Sequence, residues 1–275
     1  RLRDQVQEIS GGKERERRTD ILLQGKDAQI SSMSASISKL NSEITELAYI
    51  SSHDLQEPLR KIQMFANLIL ETERNSLSEK SLTFISKIRS SAERMQSLVA
   101  DLLTYTVNSG GKNLMLNADM ATIVQDALND LKEELLLSKA IITVNCDCTA
   151  KVVPFQVRQV VYNCVSNSLR FAHIDRIPAI SITCETASGS DFDFDLLDPN
   201  KQYCLLAVED NGMGFDQQFS ERIFDIFERL ENDVQIKNTG IGLAIVKKIA
   251  DNHNGYVRAS GKDNEGARFE IYFPA

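Results

Sequence analysis

The chain has 275 residues, 42% of them hydrophobic and 25% charged, with a formal net charge of −8. That is the make-up of a soluble globular protein with room for one or two domains, and its acidity argues against a nucleic acid held through its phosphates. No apolar run approaches the ~20 residues that cross a bilayer and no signal peptide opens the chain, so no membrane segment is expected in this chain.

Residues 1–12 are polar and end in Gly11-Gly12, a break or joint, and residues 13–18 form a mixed-charge run that reads as a solvated helix face. Leu23, Ile30, Met33, Ile37, Leu40, Ile44 and Leu47 then recur in three- and four-residue steps, interrupted by the polar Lys26. This is an a/d seam, and a seam so narrow needs a second helix to cover it. A parallel homodimeric coiled coil is the simplest cover, and a single buried amphipathic helix is the alternative. Past Leu47 the apolar positions shift to Leu55, Leu59, Ile62, Ala66 and Ile69. Inserted steps of this kind unwind a supercoil, as where a two-stranded stalk opens into a wider bundle.

The stretch Leu47–Arg60 carries His53 beside Asp54, with Glu57 and Pro58 close behind. An imidazole is a nucleophile near neutral pH, and an adjacent acid fixes which ring nitrogen holds the proton. Pro58 crowds the carbonyl of Asp54, which predicts a bend one turn past His53. Residues Arg74–Ser78 read as a turn with Ser78 as N-cap. Leu82, Ile85, Ile88, Ala92, Met95, Leu98, Leu102 and Tyr105 continue as a second amphipathic helix. Two such hairpins brought together by a dimeric stalk make a four-helix bundle. Asn108–Gly111 marks a linker.

From Leu114 the pattern becomes mixed α and β. Helices are expected over Met120–Leu137, Phe155–Phe171 and Gly240–Asn252. Strands are expected over Ile141–Val144, Ala179–Cys184, Cys204–Val208, Tyr256–Ser260 and Ala267–Phe273. Ser190–Asp195, acidic and long for a hairpin loop, reads as a surface excursion, with a metal site as the remote alternative. Cys146, Cys148, Cys164, Cys184 and Cys204 are an odd number in mostly apolar contexts, which fits reduced thiols in a cytosolic compartment. Cys146 and Cys148 fall two apart on the expected strand and share a face.

Four segments of this second half carry further chemistry. Asn163 and Asn167 are four apart on one helix face, with Arg170 three further on, so an amide oxygen suited to Mg²⁺ and a guanidinium suited to phosphate lie side by side. Ordinary polar helix positions would look the same. Val208–Phe215 leaves a strand with Asp210, Gly212, Gly214 and Phe215, placing a carboxylate at the strand end among glycines that permit close backbone approach. A tight turn with no ligand is the alternative. Ile223–Leu230 holds Phe224 and Phe227 on an expected short helix, and the polar Glu231–Lys237 can close as a lid. Thr239, Gly240, Gly242 and Leu243 open the last helix, aiming free N–H groups and the positive dipole end at phosphate. His253 reads as a structural helix-end residue.

His53-Asp54-Leu55-Gln56-Glu57-Pro58-Leu59-Arg60 resembles the H-box of sensor histidine kinases. Arg94–Leu103 resembles the second helix of their dimerisation domain. The four later segments resemble, in order, the N-box, the Asp-Asn-Gly box, the F-box and the second glycine box of their ATP-binding domain. The likeness runs over roughly residues 38–275. It implies a coiled-coil linker over 1–37, a dimerisation and phosphotransfer domain over 38–109 forming a dimeric four-helix bundle, and an α/β-sandwich ATP-binding domain over 110–275. It further implies His53 as phosphoacceptor and Asp54 as its acid/base partner. Nucleotide would be held by Asn163, Asn167, Arg170, Asp210, Gly212, Gly214, Phe215, Thr239, Gly240, Gly242 and Leu243, with Mg²⁺ at Asn167. ATP is the implied substrate. The implied partners are a second copy of the chain, a response-regulator receiver domain and an upstream sensory domain, all in the cytoplasm. A non-catalytic ATP-binding scaffold of the same fold is the alternative. The sequence departs from the family at several positions: Arg170 replaces the common lysine, Asn254 stands where the first of two glycines is usual after His253, Asn238 stands where glycine is usual, and Glu57 stands where Thr, Asn or Gln commonly supports phosphatase activity. A carboxylate there repels an incoming aspartyl phosphate, so weak phosphatase activity is expected.

Overall fold

A computed structural model describes Met33, Ser36 and Lys39 together with residues 54–73, 76–107, 115–229 and 239–275. The chain divides into two compact units, Arg1–Leu47 and Ala48–Ala275. In the first, Met33, Ser36 and Lys39 are helical and exposed. The remainder of the heptad seam, His53, the Asn108–Gly111 linker and the Glu231–Asn238 segment lie outside the described residues.

The second unit opens with a helical hairpin. Helix α1 runs through residues 54–72 with Pro58 inside it, and α2 spans Glu79–Val107. Ser78 caps α2 as its sequence position suggests: its Oγ accepts the Ser81 N–H at 3.2 Å. Leu59, Ala66 and Ala92 are buried in the hairpin, and Gln63 Nε2 donates to Gln96 Oε1 across it at 2.8 Å. A two-helix hairpin cannot cover both its stripes. Phe65 and Ile88 remain 55% and 53% exposed, and Leu68, Ile69, Phe84 and Met95 are exposed with them.

The rest is a mixed α/β layer structure. Its elements are β1 (Leu116–Asp119), α3 (Met120–Asp130), α4 (Lys132–Ser138), β2 (Ile141–Cys146), β3 (Thr149–Val152), α5 (Pro154–Arg170), β4 (Ala179–Ser188), β5 (Gln202–Asp210), α6 (Gly242–Asn252), β6 (Tyr256–Lys262) and β7 (Gly266–Pro274). The main sheet has the order β2-β4-β5-β7-β6, parallel only between β2 and β4. β1 and β3 form a separate antiparallel pair. Asp119 caps α3: its carboxylate accepts the Thr122 N–H at 3.0 Å, and the hydroxyl and amide of Thr122 hold it below the usual carboxylate range.

The single helix expected over Met120–Leu137 is instead two. The chain turns at Leu131 (φ −97°, ψ 11°), whose side chain plugs into the core at 1% exposure. Its apolar character keeps the period intact, so the break is invisible in the pattern. β1 and β3 were also not anticipated, because four residues are too few to show an alternation.

Along β5 the side chains part cleanly between two faces. Cys204, Leu206 and Val208 join the main core beneath α3, α5 and α6, with Val157, Val161, Ile245 and Ile249. Tyr203, Leu205 and Ala207 face the other way into a second, aromatic cluster. The roof of that cluster is the acidic segment expected to be a solvent excursion. Its carboxylates point out, while Phe192 packs edge-on to Tyr272 (5.3 Å) and Phe194 against Tyr256 (6.3 Å). Arg258 lies over the Phe194 ring. The described residues offer no cluster able to hold a metal there.

The cysteines also depart from expectation. β2 ends at Cys146, which stands directly opposite Cys184 on β4 and is bonded to it; a reducing compartment would open such a bond. Cys148 lies past the strand, its sulfur 3.4 Å from that of Cys204. Cys164 is buried among apolar groups, which push its thiol up to about 12. No described helix is long and apolar enough to cross a membrane.

Candidate functional site

A cavity of about 590 Å³ opens between α5, the end of β5 and the start of α6. Its size is that of a small-molecule site. Asn167, Asp210, Gly214, Phe215, Gly240, Gly242 and Leu243 line it, so chemistry scattered over the sequence converges on one place.

α5 supplies the amide face. Pro154 starts the helix at a position where its missing N–H costs nothing, and Phe171 closes it by donating its N–H to the Asn167 carbonyl at 2.9 Å. Apolar residues at Val157, Val160, Val161 and Cys164 turn one side into the core, while Asn167 lines the cavity and Asn163 is buried behind Gly242. Asn163 is buried, yet its amide nitrogen has no hydrogen-bond partner. Leaving a buried polar atom unmet costs ~1–3 kcal/mol, a cost a bound polar ligand removes. Its Oδ1 faces Gly242: a Cβ built on Gly242 would sit 3.6 Å from it, with nothing nearer.

β5 delivers Asp210, which is gripped by three donors. Ser168 Oγ gives a hydrogen bond to Oδ2 at 2.6 Å, while the N–H groups of Gly212 and Ala267 reach Oδ1 at 2.9 and 3.2 Å. The next residue, Asn211, works structurally, accepting the Ala179 N–H and donating to the Ile177 carbonyl. Gly212 and Gly214 are demanded by the protein's own backbone rather than by space for a ligand. A Cβ on Gly212 would come within 2.5 Å of the Phe171 carbonyl, and Gly214 sits at φ +65° against the Lys262 carbonyl. Phe215 stacks on Phe269 along the cavity wall.

The F-box is a 3₁₀ turn, Arg222–Phe224, and not the short helix expected. Phe224 is core; Phe227 is exposed and held at φ +66°. Its N–H donates to the Gly240 carbonyl at 2.9 Å. The two sides of the segment between them are thus pinned together at the cavity edge. Gly240, at φ +72°, leaves no room for a Cβ against Phe227 and Glu228.

Other expected residues stand apart from the cavity wall. Arg170 is exposed at the end of α5. Thr239 turns its hydroxyl away to Asp101 on α2, at 2.6 Å. Asp54 and Glu57 lie on α1, where Glu57 pairs with Lys61 at 2.7 Å. His253 ends α6 with its ring buried; Nδ1 meets the Ile249 carbonyl at 2.7 Å and Nε2 accepts the Val153 N–H at 2.9 Å. That pattern requires a neutral ring, and burial holds its pKa below the ordinary value. Cavity residues that sequence reading missed include Met213, Phe219 and Asn264. They share no spacing or chemical type that could have singled them out.

Residues 43–108 match the His Kinase A (phospho-acceptor) domain, and residues 153–275 match the Histidine kinase-, DNA gyrase B-, and HSP90-like ATPase domain. The chain belongs to the sensor histidine kinase family. Among such relatives, it is 32% identical over 246 residues to the Phytochrome-like protein Cph1 of Synechocystis sp., covering 90% of this chain and 31% of that one. With the Sensor-like histidine kinase SenX3 of Mycobacterium tuberculosis it shares 28% over 232 residues, 82% of this chain and 52% of the relative. The chain therefore spans a third to a half of the length of these kinases. The solved full-length ShkA in complex with AMPPNP shares the fold with a TM-score of 0.59 at 20% identity, covering 83% of this chain and 45% of that one. The Acinetobacter baumannii histidine kinase AdeS gives 0.54 at 18% identity, over 79% and 96%.

Proposed function

We propose that this chain is the catalytic core of a two-component sensor kinase, which transfers the γ-phosphoryl group of ATP to His53 and then to an aspartate of a response regulator. The observation that carries this reading is the convergence of Asn167, Asp210 and Gly242 on one cavity, with the unpartnered Asn163 amide beside it, in a chain whose 43–108 stretch matches a phospho-acceptor domain. Asp210, already fixed by three donors, offers a carboxylate to the adenine amino group. Gly242, which lines the cavity without a side chain, lets phosphate come against the N–H groups that start α6. Asn163 and Asn167 fit the amide set that would hold Mg²⁺, and Asn167 would be its ligand. That ion, when bound, supplies neutralisation of phosphate charge.

In the proposed step the His53 Nε2 forms a bond to the γ-phosphorus as the bond to the bridging oxygen breaks, and ADP leaves. Asp54 takes the Nδ1–H hydrogen bond and steadies the positive charge on the ring. The exposed apolar stripe of the hairpin fits a homodimer, and an upstream sensory domain would govern it. A reaction that depends on ATP and on a receiver domain suits the cytoplasm, where the Cys146–Cys184 pair would be reduced.

The test is incubation with γ-labelled ATP and Mg²⁺. Acid-labile, base-stable label is expected on the wild type and none on His53→Ala, while both bind ADP equally. Nucleotide binding without label on the wild type would instead make the chain a non-catalytic scaffold.

A further inference from the structure

Thr239 and Asp101 are 138 positions apart, yet the Thr239 hydroxyl donates to the Asp101 carboxylate at 2.6 Å. Asp101 belongs to α2 of the phospho-acceptor hairpin, and Thr239 leads into α6 of the ATPase domain. The contact does not stand alone. α2 packs on α6, and Leu98, one turn before Asp101 on the same face, packs against the ATPase core. Arg170 also acts on Asp101 through its charge. Burial nevertheless lifts the Asp101 carboxyl above the ordinary range, against the Thr239 hydrogen bond and Arg170.

Thr239 and Arg170, which stand outside the cavity wall here, are two of the groups that the family resemblance of the sequence gives to the nucleotide. A carboxylate and a phosphate want the same partners, a hydroxyl or N–H donor and a guanidinium. We infer that Asp101 is an internal substitute for nucleotide phosphate, occupying the Thr239 hydroxyl, within the field of the Arg170 charge, when the site holds no nucleotide and so docking the ATPase domain on α2. Nucleotide must then take these groups from Asp101, and binding undocks the domain from the hairpin. By linkage the two are reciprocal: docking weakens nucleotide binding by the same factor as nucleotide weakens docking. Asp101 is a positioning residue in this scheme, since it touches the Thr239 hydroxyl and not the reacting atoms. The inference rests on the proposed function, because it needs Thr239 and Arg170 to face phosphate.

The experiment titrates ADP into the full chain, read by calorimetry, for wild type, Asp101→Ala and the isosteric Asp101→Asn. Loss of a charge-assisted hydrogen bond on the competing side should tighten ADP binding about tenfold in Asp101→Ala. Asp101→Asn keeps an acceptor oxygen without the charge and should tighten it about threefold. Amide exchange along residues 95–104 gives a readout that a merely structural role would not move. ADP should raise exchange there in the wild type, whereas in Asp101→Ala it is already raised and ADP adds nothing. A wild type that takes up ADP while neither variant binds it more tightly overturns this inference and leaves the kinase reading standing. A wild type that takes up no ADP overturns both.

Discussion

Gly212, Gly214, Gly240 and Gly242 look alike in the sequence, but they serve different ends. Gly214 holds a left-handed backbone under the Lys262 carbonyl, so Gly214→Ala should destabilise the domain by about 3 kcal/mol, read as a lower denaturant midpoint. A Cβ at Gly242 would meet only the Asn163 side chain, at ordinary contact distance, and Gly242 starts a helix that alanine favours. Gly242→Ala should leave the midpoint unchanged or slightly raised, yet weaken ADP binding tenfold to a hundredfold, since a methyl forced into a close contact costs about 1–3 kcal/mol. Equal affinity in calorimetry would show that phosphate does not approach there. His253 carries a pH prediction. Its folded pKa lies below the ordinary 6.5, so the unfolded chain binds the extra proton first. The stability it supplies is complete above 6.5 and is lost as the pH falls from there through the folded value. Urea midpoints measured down that range should fall in the wild type, and the part due to this ring should vanish in His253→Gln. Residue identity was thus readable where chemistry is distinctive, as for the Asn163 and Asn167 amides. It was not readable where a backbone neighbour sets the requirement.

At the scale of elements, long periodic segments were legible and their interruptions were not. α5, α6, β6 and β7 fall close to where the pattern puts them, because burial on one face repeats often enough to be seen. The turn at Leu131 leaves no mark in the pattern because the residue that breaks the helix is as apolar as those that continue it. Helix α4 then ends at Lys139 in the left-handed region, with no glycine to announce it. The F-box misled in the opposite way. Phe224 and Phe227 are three apart, as helix neighbours would be, but one is core and the other is turned out by a positive φ. The Ser190–Asp195 segment alternates Asp with Phe, the period of a half-buried strand. Its acidic residues face solvent, while its phenylalanines cover a sheet face.

At the scale of the whole molecule, the order of the boxes along the chain told more than any box alone, since no local rule brings α5, β5 and α6 around one cavity. The exposed stripe on α1 and α2 belongs to the same scale, because a solitary hairpin has nothing to place against Phe65 and Ile88. Ile88→Glu should convert a dimeric species to monomer in sedimentation at micromolar concentration, with circular dichroism of the ATPase domain retained. An unchanged sedimentation coefficient would locate the contact between copies elsewhere. The roof formed by Phe192, Phe194 and Leu197 has its own consequence. It lies on the layer opposite the cavity, so a chain trimmed of it could keep its pocket while laying bare a plane of tyrosine rings. Such a chain would lose solubility sooner than it lost shape, and those few acidic-aromatic positions are what keep the back of the sheet from adhering to its neighbours.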